Sequence, residues 1–80
     1  MTFDKWIDTF VSEKGLDLEE TFVVEGDMGE NSIPLGVVVE HMKIAPDTEK
    51  KQIKDVIVRI DFYNGNVMHF FEHLAKAIAI

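Results

Sequence analysis

The residues with the clearest capacity for chemistry are His69, Glu72 and His73, near the end of the sequence. On a helix the two histidines would lie one turn apart on one face, a spacing at which two imidazole nitrogens can hold a zinc ion. Glu72 could then act as a general base toward zinc-bound water. This spacing raises the hypothesis of a hydrolytic metal site.

The surrounding segment argues against a zinc site at these side chains. The His-x-x-Glu-His order resembles the motif of inverted zinc peptidases, whose sites need a third protein ligand and a substrate cleft, and only seven residues follow His73. The helical register also places the two histidines opposite Phe70, Phe71 and Leu74. We therefore expect solvated side chains here, with no metal, no cofactor and no catalytic residue, in a protein that is not an enzyme.

A serine raises a second hypothesis. A short acidic chain with a helix, a long loop and then Ser32 at the head of another helix resembles the acyl carrier proteins over its first half. In that family an Asp-Ser-Leu serine carries phosphopantetheine, whereas this chain reads Asn31-Ser32-Ile33-Pro34. The resemblance implies an acyl-carrier-like protein as a distant alternative.

The remaining candidate motifs point to structure. His41 falls toward the apolar side of a helical segment, which predicts a buried imidazole with a backbone partner. No serine lies in a nucleophile elbow, and Gly26-x-x-Gly29 lacks the Lys-Ser/Thr that follows in a phosphate loop.

Charge is distributed unevenly along the sequence. The chain has 15 acidic and 8 basic residues and a formal net charge of -7. Residues 1–32 hold nine of the acids and two lysines, whereas residues 33–80 hold six residues of each sign. This balance argues against direct binding to nucleic acid, because such binding draws on clustered Lys and Arg.

The acidic segment between residues 17 and 30 is therefore the predicted partner-binding surface. Its candidate residues are Asp17, Glu19, Glu20, Asp27 and Glu30. Residues 26–32 have the glycines, acids and Asn of an exposed loop, and loops carry function disproportionately. The expected partner is a protein with a basic surface.

Length and composition limit the class of protein. Eighty residues predict one domain with a single core. The absence of cysteine excludes disulfides and thiol catalysis and fits a reducing compartment. No apolar run approaches the roughly 20 residues of a membrane span, so we expect a cytoplasmic protein with no membrane partner.

Two helices are predicted clearly. One carries an apolar stripe of Phe3, Trp6, Ile7, Phe10 and Val11, between Thr2 as its cap and Gly15 as its end. The other follows Gly65 and Asn66, with a stripe of Val67, Phe70, Phe71, Leu74 and Ile78. The apolar end of the second helix should pack on its own core or on another copy, so a homodimer is a second hypothesis.

The middle of the chain is ambiguous. A helix start is expected near Ser32 and Pro34, although three successive valines at 37–39 also suit a strand. Residues 55–62 fit both periods, and we favour helix because strong helix formers lead into them. Residues 21–25 read as a short strand.

These elements predict a mainly α domain of about four helices with a short extended segment near residues 21–25. The alternative is an α+β domain in which residues 21–25 and 55–62 pair in a small antiparallel sheet. The leading functional hypothesis is a small acidic non-enzymatic interaction protein, of the accessory or inhibitor type that mobile elements encode.

Overall fold

A computed structural model describes residues 1–79, which form four helices and one two-stranded antiparallel sheet. In chain order the elements are α1 (Phe3–Glu13), β1 (Thr21–Gly26), β2 (Gly29–Pro34), α2 (Leu35–Lys43), α3 (Asp47–Phe62) and α4 (Val67–Ile78). The predicted mainly α fold with a short extended segment is confirmed. Within residues 1–79 no helix has the length and apolar composition needed to cross a membrane.

Helix α1 forms where the sequence predicts it. The Thr2 hydroxyl caps its start by accepting a hydrogen bond from the Lys5 amide at 3.2 Å. At its end Gly15 takes a φ of 64°, and the Leu16 amide donates to the Val11 carbonyl at 3.0 Å. Glycine suits this helix end because it has no Cβ to clash in the left-handed conformation.

The partner of the first strand differs from the predicted alternative. β1 pairs with β2, so that Phe22 lies opposite Ile33. The sheet expected between residues 21–25 and 55–62 is wrong, because 55–62 lies within α3. The strong helix formers at the start of α3 therefore indicated correctly that the whole segment is helical.

The stretch predicted as a seven-residue loop is mostly strand. Only Asp27 and Met28 lie between the paired strands, and Gly26 pairs with Gly29. Gly29 has a φ of 106°, which lets the chain reverse directly after the turn. The polar and glycine-rich composition therefore belongs to the end of a hairpin, where solvated side chains are tolerated.

Helix α2 begins later than expected. It starts at Leu35, so Ser32 lies in β2 and does not head a helix. Pro34 precedes the helix without a capping side chain. Instead, the Leu35 amide donates to the Glu20 carbonyl at 2.8 Å, and the Gly36 amide donates to the Leu18 carbonyl at 2.9 Å. The first amides of α2 are thus satisfied by the chain leading into β1.

Burial explains why the valine-rich segment is helical. Leu35, Val38, Val39 and Met42 are buried and recur at i, i+3, i+4 and i+7, which places them on one face of α2. Their burial in the core outweighs the strand preference of β-branched side chains.

Helices α3 and α4 meet at a tight corner. Asn64 takes the left-handed conformation, with a φ of 56°, at the position where the sequence suggested Gly65. The Gly65 amide donates to the Ile60 carbonyl at 2.8 Å, as expected one residue after a left-handed helix end. Asn66 then caps α4 as predicted, since its side chain accepts a hydrogen bond from the Met68 amide at 3.1 Å.

One core joins all six elements. Its largest fully buried side chains are Phe71, Ile7, Leu35, Ile57 and Val38. Helix α4 packs against α2, α3 and β1, so its apolar face lies on the core of its own chain as far as Ala79. The final Ile80 lies outside the described residues. The homodimer predicted through this helix stays a prediction.

Ion pairs connect α1 to α2 and α3. Lys43 Nζ lies 2.8 Å from a carboxylate oxygen of Asp8, and Lys50 Nζ lies 3.2 Å from Asp4. The hydrogen bond from Lys43 to Asp8 raises the pKa of the Lys43 ammonium above its ordinary value. The lysines that contact α1 are thus largely engaged with carboxylates of the same molecule.

Candidate functional site

The far end of the hairpin carries an unusual pair of charges. Glu25 of β1 and Glu30 of β2 lie directly opposite each other, and both side chains are exposed. Side chains facing each other in this way have Cβ atoms about 4.5–5.5 Å apart, and like charges there are destabilising. Asp27 adds a third carboxylate in the connecting turn. This end of the molecule therefore concentrates negative charge at a cost in stability.

The five predicted binding residues do not form one surface. Asp17, Glu19 and Glu20 lie in the connection that leads into β1, whereas Asp27 and Glu30 lie at the opposite end of the hairpin. The length of β1 separates the two groups by roughly 17 Å, at about 3.3 Å per residue. All five side chains are exposed. The structure therefore divides the acidic segment into two groups.

The residues of the group that precedes β1, Asp17, Glu19 and Glu20, make hydrogen bonds within the fold. Asp17 accepts a hydrogen bond from the Glu19 amide at 2.9 Å, which fixes the turn after α1. The Glu20 and Leu18 carbonyls receive the first amides of α2. Within residues 1–79 its carboxylates form no ion pair either, so it is the weaker candidate only because it contains no pair of like charges facing each other across the sheet.

The remaining group, which we call the acidic tip, consists of Glu25, Asp27 and Glu30 around Met28. Within the described residues, none of its three carboxylates takes part in an ion pair. No lysine or arginine occurs between Lys14 and Lys43 in the sequence. Met28 at the turn is 97% exposed. The acidic tip thus presents uncompensated negative charge around one apolar side chain.

Reversing one charge of the facing pair should stabilise the protein. Glu30→Lys places an ammonium opposite Glu25, and we expect the free energy of unfolding to rise by about 0.2–1 kcal/mol. The gain should be larger at low salt, because exposed charges are screened. Urea denaturation of the variant and the wild type measures the difference.

The double variant Glu25→Lys/Glu30→Lys is the matched control. It restores two like charges at the same positions, so its stability should return toward that of the wild type. A Glu30→Lys variant that is no more stable than the wild type at low salt would show that the two side chains do not interact.

A second candidate site lies at the corner between α3 and α4. This open groove, which we call the corner groove, has a volume of about 560 Å³. Its lining residues are Arg59, Ile60, Tyr63, Gly65, Asn66, His69, Phe70 and His73. Two aromatic residues at the end of α3, Phe62 and Tyr63, are 77% and 74% exposed, and their rings meet edge to face at 5.0 Å. Large aromatic surface is therefore exposed at and beside the groove.

The polar side chains of the corner groove are hydrogen-bond donors or histidines. The rings of His69 and His73 lie edge to face with centroids 5.1 Å apart, and Arg59 comes from the facing helix. No carboxylate is among the lining residues. Glu72 lies next to the groove, 3.9 Å from His69 Nδ1 and 4.0 Å from Lys76 Nζ. The chain as a whole has a net charge of -7, whereas the residues that line this groove include an arginine and no acid.

The structure places all three histidines, His41, His69 and His73, on the surface of the protein. His69 and His73 are exposed on α4, and among residues 1–79 no three His, Asp or Glu side chains are grouped as ligands for a metal ion. The burial predicted for His41 is wrong, because it lies on the outer side of α2 near exposed Val37 and Ile44. The helix is amphipathic rather than buried all round, so its apolar sequence overstated its burial.

Sequence reasoning missed the corner groove for a definite reason. His69 and His73 attracted attention through their spacing, but Arg59 and Tyr63 come from a segment whose secondary structure the sequence left open. The groove lies at the corner between the two helices, where Asn64 takes a left-handed conformation and Asn66 caps α4. The one available signal was the Asn64-Gly65-Asn66 sequence, which indicated a break between α3 and α4.

Comparison with protein-family models, with curated proteins and with solved structures found no match to this chain.

Proposed function

We propose that this chain is a small acidic non-enzymatic interaction protein, of accessory or inhibitor type, that docks its acidic tip on a basic surface of a protein partner in the cytoplasm. The observation that carries the proposal is the facing pair of Glu25 and Glu30. A pair of like charges in a hairpin costs stability, and a partner cation placed between them would remove that cost on binding.

The surroundings of the pair support the same function. The described part of the chain supplies the acidic tip with no ion-pairing lysine, whereas Asp4, Asp8 and Asp61 each pair with a lysine. The three tip carboxylates are thus free to bind a cation of another molecule. Met28 between them offers an apolar contact that would be desolvated at the centre of an interface.

This mechanism predicts the kinetics of binding. Charged surfaces of opposite sign accelerate diffusional encounter, and the acceleration weakens as salt screens it. Association should therefore slow steeply with added salt, while dissociation changes less.

The experiment compares three forms of the immobilised protein in extract of the native cell. The first is wild type, the second is Glu25→Gln/Asp27→Asn/Glu30→Gln, and the third is Glu13→Gln/Glu49→Gln/Asp55→Asn. The two variants lose the same amount of charge, but the second set of acids lies on α1 and α3, outside both candidate sites. Captured proteins are identified by mass spectrometry.

The expected result is a basic protein that wild type and the α1/α3 variant retain and the tip variant loses. With that protein purified, the tip variant should bind at least about tenfold more weakly, which corresponds to a loss of about 1.4 kcal/mol of binding free energy. Equal capture by all three forms would contradict the proposal. A partner lost equally by both variants would show that net charge alone, and not the acidic tip, is recognised.

A further inference from the structure

The corner groove is suited to receive an apolar side chain. Ile60, Phe70 and the ring of Tyr63 supply its apolar walls. Its volume of about 560 Å³ lies within the roughly 300–1,000 Å³ range of ligand-binding pockets. An occupant with one large apolar side chain would therefore be desolvated there.

The charge of the groove selects an acidic occupant. Arg59 presents a planar guanidinium, which suits carboxylates, and Asn66 and the histidines add polar groups. Of the nearby acids, Asp61 lies 2.7 Å from Lys14 Nζ, and Glu72 lies between His69 Nδ1 at 3.9 Å and Lys76 Nζ at 4.0 Å. Arg59 therefore has no carboxylate partner within residues 1–79. An occupant that combines carboxylates with an apolar side chain would satisfy both the walls and the rim.

The acidic tip has this chemistry. Met28 is the most exposed large hydrophobic residue of the described chain, and it lies in the hairpin turn next to Asp27 and two residues before Glu30. Methionine is unbranched and polarisable, so it fills irregular apolar pockets well. We infer that the acidic tip of one copy of this chain docks in the corner groove of a second copy, with Met28 between Ile60 and Phe70 and the carboxylates toward Arg59.

The occupant must come from a second copy because the two sites lie at opposite ends of α4. A Cβ built on Gly26, next to the tip, would lie 3.0 Å from the Ala79 carbonyl oxygen at the end of α4. The groove is instead formed by Asn66, His69 and Phe70 at the start of that helix. Each copy therefore offers one tip and one groove, which makes the contact head-to-tail and able to repeat.

The size of the contact sets its strength. A hairpin end buries less surface than the roughly 1,200 Å² below which interfaces are weak and transient. Self-association should therefore appear toward the upper end of accessible protein concentrations and weaken with salt. It shares the acidic tip with the proposed function, but the groove is an additional site whose loss leaves that function intact.

The test is sedimentation velocity over a range of protein concentrations at low salt. The wild type should show a sedimentation coefficient that rises with concentration. Met28→Asp, which disables the tip, and Arg59→Glu, which disables the groove, should each weaken association at least about tenfold. Ile44→Ala, which alters an exposed apolar residue outside both sites, should behave as the wild type.

Mixing the two disabled variants gives the decisive outcome. Met28→Asp retains an intact groove and Arg59→Glu retains an intact tip, so an equimolar mixture should form pairs of one copy each and nothing larger. The pairs also demonstrate that both variants are folded. A wild type that stays monomeric, association lost only in Ile44→Ala, or a mixture with no pairs would each overturn the inference. Partner capture by Arg59→Glu stays at the wild-type level if the proposed function alone is correct.

Discussion

Replacing Phe71 with alanine should lower the free energy of unfolding by about 3–5 kcal/mol. Phe71 is fully buried in α4 and is the largest side chain at the centre of the core. Its removal leaves a cavity in the core through which α4 packs against α2, α3 and β1. At about 0.05–0.15 kcal/mol per residue, a chain of this length has a total stability of about 4–12 kcal/mol, so the variant should lose a large fraction of its stability and should unfold at a much lower urea concentration.

Phe62→Ala is the matched control, because it deletes the same atoms from a phenylalanine that is 77% exposed. Its effect should stay within about 0.5 kcal/mol. Urea denaturation followed by circular dichroism measures both variants. Similar losses at the two positions would mean that α4 does not pack through the face described above.

Adjacent residues of β1 should respond in opposite ways to a lysine. Val24 is 2% exposed and Val23 is 60% exposed, because successive side chains of a strand point to opposite faces. Val24→Lys would bury an unpaired ammonium, and we expect it to lower the free energy of unfolding by about 3–5 kcal/mol. Val23→Lys should change it by no more than about 0.5 kcal/mol.

The pair of lysine variants also tests the register of the hairpin. A shift of one residue would exchange the inner and outer faces of β1 and reverse the order of the two effects. The lysine at position 23 has a further readout, because it places a cation near Glu25 and Glu30. If the proposed partner binds through negative charge on this hairpin, Val23→Lys should weaken that binding while the protein stays folded.

The helices were predictable from the sequence where apolar residues recur at helical spacing. The stripe from Phe3 to Val11 and the stripe from Val67 to Ile78 each define a buried face without knowledge of what covers it. α3 was favoured correctly on the strength of its first turns. The triple valine of α2 could not be assigned from local sequence, because its helical state depends on the burial of Val38 and Val39.

The second strand shows the limit of sequence reasoning most clearly. β2 reads Gly-Glu-Asn-Ser-Ile-Pro, and only Ile33 in it is buried. Its composition is that of a loop, and it is a strand because β1 supplies the partner for its backbone groups. Asp27 and Glu30 were identified as candidates, but Glu25 was not, and its position opposite Glu30 follows only from this pairing.

The corner groove depends on how two helices cross, which no single segment encodes. Arg59 and His69 are ten residues apart in the sequence and come together because the chain reverses at Asn64. The sequence located the break correctly but placed the left-handed residue one position late, at Gly65. Asparagine tolerates the left-handed conformation better than most residues with a side chain, so Asn64 can adopt it.

Backbone hydrogen bonds connect the start of α2 to the segment that leads into the hairpin, so the two elements should unfold together. The Leu35 and Gly36 amides have no capping side chain and bond instead to the carbonyls of Glu20 and Leu18. Opening the hairpin at its base would therefore release the first turn of α2 as well. In hydrogen exchange these amides should become labile together with those of β1, so that hairpin and helix behave as one cooperative unit of local unfolding.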